Sequence, residues 1–90
     1  MYYSIEREEE FDERVKEIAG SFERMDEIDR NIDWALAREP YFVGQHIYKD
    51  YYLWETERFT DLDIPQVVIL YTVDSINKKI LLIDISVIPG

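Results

Sequence analysis

The chain has 90 residues, 47% of them apolar, and its 20 acids against 10 bases give a net charge of −10. That composition implies one domain, residues 1–90, with enough apolar content to fold but too little length for a thick core. The absence of cysteine excludes disulfides, thiolate metal sites and cysteine nucleophiles. The acidity argues against direct nucleic-acid binding, which draws most of its affinity from Lys and Arg neutralising phosphates.

In chain order, YYSIE at residues 2–6 reads as a short strand, with Tyr3 and Ile5 alternating against Ser4 and Glu6. Phe11, Val15, Ile18 and Phe22 then follow at spacings of four, three and four, the stripe of an amphipathic helix. Glu8, Glu9, Glu10, Asp12 and Glu13 crowd its first turns, where the helix dipole favours negative charge. Gly20 is expected to end this helix and Ser21 to cap a second one. Met25, Ile28, Ile32, Ala35 and Leu36 give the second helix its apolar face, with Trp34 off the stripe, and Pro40 stops it. With almost no linker, the two helices should form an antiparallel hairpin.

Residues 41–59 contain seven aromatic side chains, the single histidine and Gly44. Their first half reads as a crossing loop. DYYLWETERF at 50–59 alternates as a strand, TDLDIP interrupts, and VVILYTVD and KILLIDISVI read as two long β-branched strands joined by a turn. The expected order is strand, helix, helix, strand, strand, strand. This is an α+β domain: an N-terminal strand, a helical hairpin, then a three-stranded antiparallel meander. By simple alternation, Val67, Ile69, Tyr71 and Val73 share one face, and Leu81, Ile83, Ile85 and Val87 another. The remaining positions, Leu70 and Leu82 among them, are still apolar. The expectation is therefore an apolar sheet face left open by the helices, and such patches mark partner sites.

The chemistry-bearing residues are few. His46, with Lys49 or Arg58, forms the only conceivable acid–base and cation set for phosphodiester cleavage, and nothing in the spacing joins them. No catalytic residues, no metal ligands and no cofactor are assigned, and an enzyme is not the expected outcome. His46 lacks a second histidine or a cysteine for a transition-metal site. The acidic run at Glu8–Glu13 lacks the spacing of a calcium loop and reads as a solvated helix face. Gly44 has no glycine or lysine-serine neighbours of a phosphate loop. Tyr51, Tyr52 and Trp54, with Leu70 and Leu82, are the candidate partner-binding residues, because Tyr and Trp favour hot spots. No apolar run reaches the length of a membrane span, and MYYSIEREEE lacks the features of a signal peptide, so a cytoplasmic protein with no membrane role is expected.

The ALAREPYF turn, the YYLWETERF strand and PQVVILYTVDSINKKILLIDISVI, in this order behind two amphipathic helices, resemble the RelE/ParE toxin superfamily across nearly the whole chain. The resemblance implies the fold just described and a toxin of a toxin–antitoxin module. Some members of that superfamily cleave messenger RNA at the ribosome, others poison gyrase, and a cognate antitoxin wraps over the toxin. Tyr71 matches a tyrosine of the family's penultimate strand. The arginine ahead of it falls at Val68, and the last strand ends in the apolar Val87 and Ile88 where ribonuclease members carry basic and polar groups. The resemblance thus implies a divergent, acidic member that works by protein binding without ribonuclease activity, with an antitoxin-like partner. The alternative is a non-toxic acidic interaction protein, a homodimer or an inhibitor that imitates nucleic acid, on the same fold.

Overall fold

The computed structural model describes residues 2–57 and 64–89. In chain order they form β1 (Ser4–Arg7), α1 (Glu9–Ala19), α2 (Met25–Arg38), a one-turn helix α3 (Pro40–Val43), β2 (Gln45–Tyr48), β3 (Tyr51–Glu55), β4 (Val67–Asp74) and β5 (Lys79–Val87). The five strands make one sheet in the order β1-β5-β4-β3-β2. β1 runs parallel to β5, with Ser4 opposite Lys79 and Arg7 opposite Leu82; the other neighbours are antiparallel. A parallel pair needs a long crossover, and here it contains both main helices.

The α+β expectation holds, with three local corrections. The meander has four strands, because QHIY adds β2 at the edge. α3 forms where Pro40 sits at its first turn, a position that suits proline because its missing N–H has no partner to lose. α2 starts at Met25 with Arg24 before it, not at Ser21. The amides of Ser21 and Phe22 both bond back to the Ile18 carbonyl, so residues 20–24 close off α1 before α2 begins. Arg58 and Phe59, expected in the strand now seen as β3, lie outside the described residues.

The core lies between the helical hairpin and one face of the sheet. Phe11 of α1 and Met25, Ile28, Ile32 and Leu36 of α2 pack on Val67, Ile69, Tyr71 and Val73 of β4 and on Ile80, Leu82 and Ile85 of β5. The helical spacing of the first set and the period-two spacing of β4 put each group on a single face. β5 departs from strict alternation. Tyr71 pairs with Leu82 while Leu70 pairs with Asp84, so Ile83 is an extra residue in a β-bulge. Before the bulge Ile80 and Leu82 face the helices; after it Ile85 does. The sequence-based grouping of Leu81, Ile83, Ile85 and Val87 on one face is therefore wrong at the bulge, since one inserted residue reverses every position beyond it.

β1 is fastened to the helices by charge. Arg7 reaches Asp29 at 2.7 Å and Asp33 at 2.9 Å on α2, and Asp12 at 3.4 Å on α1. Burial alone would lower the Arg7 pKa, but Asp29 and Asp33 outweigh it and hold the guanidinium above its usual value.

Candidate functional site

The helices cover one side of the sheet and leave the other open. Val68, Leu70 and Thr72 alternate with buried residues of β4 and so point away from the helices; each is half-buried. By pairing, Leu53 joins Leu70 and Tyr51 joins Thr72 from β3, while Leu81 joins Thr72 from β5. Leu53, Leu70 and Leu81 give this face an apolar strip across the middle of the sheet, and the same register sets carboxylates beside it: Asp84 opposite Leu70, Glu55 opposite Val68 and Glu6 opposite Leu81. Toward the β2 edge the strip descends into a hollow of about 420 Å³ lined by Phe42, Gly44, Ile47 and Leu53 among others. Phe42 is 85% exposed there, an arrangement water disfavours. Lys79, which register places on this face, lies 3.6 Å from Glu6 across the β1–β5 pair.

The five candidate partner-binding residues do not share one surface. Tyr51 and Leu70 lie on the open face. Tyr52 and Trp54 pair with the buried Tyr71 and Ile69, which puts them on the helical side, packed against the margin of the core. Leu82 has no exposed surface and packs beneath the helices. It is a core residue, and no partner reaches it in the folded chain. The Ile83 bulge is the reason: Leu81, not Leu82, faces the open side next to Thr72.

On the helical side, α2 and the outer end of β3 leave a groove of about 450 Å³. Ile28 and Ile32 of α2, with Trp54 and Ile64, make its apolar floor. Glu27 of α2 and Glu57 of the strand side stand on its walls, and Glu55 borders it through the strand while its side chain, paired with Val68, turns to the open face. The sequence marked Trp54 for partner contact, and the structure places it here.

The aromatic run is a packed cluster. Tyr52 stacks on Tyr71 with ring centroids 5.6 Å apart, Tyr41 meets Tyr52 edge-on at 5.7 Å, and Tyr3 meets Tyr41 at 6.3 Å. The buried Tyr71 hydroxyl donates to the Pro40 carbonyl at 2.6 Å. Burial, reinforced by Tyr52, pushes its phenol pKa well above the usual 10.0. Tyr71, the position matching the family's tyrosine, is thus engaged in the core with its proton held. This packing explains Gly44, since a side chain there meets the Tyr71 ring. Sequence spacing missed that role because the two residues are far apart in the chain.

His46 sits on the exposed strand β2, not in a loop, with its Nε2 hydrogen-bonded to the Lys49 carbonyl. Lys49 Nζ lies 5.3 Å from the Tyr48 ring centroid. His46 and Lys49 thus meet at the β2–β3 turn, while Arg58 lies outside the described residues. Among the described residues no cluster of three His, Cys, Asp or Glu side chains is arranged to hold a metal ion. No described helix is long and apolar enough to cross a membrane.

This sheet order, with a helical hairpin on one face, defines an α+β domain with a RelE-like fold. A chain of the toxin-antitoxin complex RelBE2 from Mycobacterium tuberculosis superposes on it with a TM-score of 0.73, covering 98% of this chain and 100% of that one, at 14% sequence identity. No protein-family model and no curated protein sequence matches the chain.

Proposed function

We propose that this chain is a toxin-type protein of a toxin–antitoxin module that acts by binding a protein, without ribonuclease activity, and that an antitoxin is its cognate partner. The observation that carries the reading is the open sheet face around Leu70 and Leu53. Its centre is apolar with carboxylates at its margin, Asp84 opposite Leu70 and Glu55 opposite Val68, and the hollow beside it extends it to the edge strand. Such a surface suits an extended or helical protein segment. RNA cleavage would instead require a cation and an acid–base pair aimed at one phosphate. Full-length fold similarity to a chain of a toxin–antitoxin complex supports the module assignment.

Induced expression in a bacterial host tests the reading. The wild-type chain is expected to arrest growth, and Leu70→Glu, which puts a charge on the open face, is expected to relieve the arrest while the purified variant keeps its fold. A second reading is a non-toxic homodimer on the same face. The exposed apolar side chains of the β2 edge, Ile47 and Tyr48, favour it. Normal growth, together with a dimer in solution that Leu70→Glu dissociates, would select that reading instead.

A further inference from the structure

We infer that the groove between α2 and the outer end of β3 receives a basic amphipathic peptide segment of a partner protein, separately from the open sheet face. The inference rests on the protein-binding reading above but not on toxicity. The groove offers two complementary features. Its floor is apolar, built from Ile28, Ile32, Trp54 and Ile64, and its volume of about 450 Å³ accommodates several aliphatic side chains. Its walls carry one carboxylate on each side, Glu27 on the helix and Glu57 on the strand, while the Glu55 side chain follows Val68 to the open face, and no lysine or arginine lines the groove among the described residues. Arg24 touches Glu27 from outside the groove at 2.8 Å, and this exposed pair contributes little.

A small neutral ligand would use the floor and leave the carboxylates unanswered. An acidic segment would be repelled by both walls. A helix with leucines on one face and lysines flanking them fills the floor and meets both walls at once. The net charge of −10 steers such a cation-rich segment toward the protein, and in the groove Glu27 and Glu57 flank the half-buried Trp54 and Ile64. Trp54 forms part of that floor and has the aromatic area of a hot spot.

The test uses the purified full chain carrying Trp34→Phe, so that Trp54 is the single tryptophan. The probes are a synthetic helical peptide with leucines at i, i+4 and i+7 flanked by lysines, and the same peptide with glutamates for lysines. The lysine peptide is expected to shift Trp54 emission saturably, and the glutamate peptide to leave it unchanged. Glu27→Gln and Glu57→Gln combined should weaken binding roughly tenfold or more at moderate salt. The control variant Glu9→Gln and Glu13→Gln carries the same charge change on the far helix α1 and should retain most of the affinity. Equal losses in the two double variants would mean diffuse attraction to an acidic surface and would overturn the groove assignment. No Trp54 response, or equal response to both peptides, would overturn it as well. Because the assay involves no cells, its failure is separate from failure of the toxin reading.

Discussion

A methyl group placed on Gly44 would lie 2.0 Å from the Tyr71 hydroxyl and 2.8 Å from the ring carbon that bears it. The backbone between α3 and β2 therefore lies directly against the tyrosine, and the same hydroxyl donates to Pro40 four residues earlier. One buried ring of β4 thus holds the chain where it leaves α2 and enters the edge strand. Gly44→Ala is expected to destabilise the protein by roughly 2–3 kcal/mol through overpacking. Tyr71→Phe alone should cost about 1–2 kcal/mol, because Pro40 loses its donor. In the double variant the two costs should be less than additive, since the hydroxyl is the nearest obstacle to the new methyl. Urea unfolding of the four proteins checks this.

The Tyr71 phenol also predicts an alkaline limb. Its pKa is raised by burial, so the unfolded chain releases this proton first as pH rises past the ordinary value of 10.0. Its contribution to stability is complete below that pH and is lost as pH climbs toward the folded-state value. Stability measured from pH 8 upward should fall above pH 10, and Tyr71→Phe should reduce the fall. At the other extreme, Asp74 is held below its usual range by the Asn77 side chain and by the backbone amides of Asn77 and Ile76. Its contribution is present above its unfolded pKa and disappears as pH falls through the lower folded value. Asp74→Ala should flatten the acid limb.

Arg7 faces three aspartates from two helices. Removing the cation leaves Asp12, Asp29 and Asp33 crowded together, so Arg7→Met should destabilise by about 2 kcal/mol. This is less than breaking a fully buried pair costs, because Asp12 and Asp33 are each about half exposed. High salt should narrow the gap between the variant and the wild type. Thermal unfolding at two salt concentrations measures both effects.

Trp54 is packed on the margin of the core and also forms the groove floor. Trp54→Ala is expected to lower stability by about 2 kcal/mol while the chain still folds, and to remove partner or peptide affinity by about 2 kcal/mol or more. Circular dichroism and a binding titration separate the two. A variant that cannot fold would make Trp54 a core residue only.

The parts of the fold legible in the sequence are those with a strong single period. The Met25–Ile28–Ile32–Leu36 stripe and the alternate residues Val67, Ile69, Tyr71 and Val73 of β4 are buried as their spacing requires. β2 was not legible because QHIY is short, exposed throughout and without alternation; it exists through its pairing with β3. The bulge at Ile83 was hidden for another reason. ILLIDIS is apolar on both parities up to Asp84, so no hydrophobic signal marks the inserted residue, and simple alternation puts Leu82 on the wrong side. Tyr51 and Leu70 share the open face because strict alternation holds along β3 and β4, and the same alternation sends Tyr52 and Trp54 to the helical side. The groove around Trp54 joins residues far apart in sequence, and only packing reveals it.

The most direct test is induced expression of the chain in a bacterial host, with growth followed alongside messenger RNA integrity and DNA supercoiling. The account predicts growth arrest with messenger RNA intact, relieved by co-expression of a cognate antitoxin. Arrest accompanied by messenger RNA cleavage that the purified chain reproduces would contradict it.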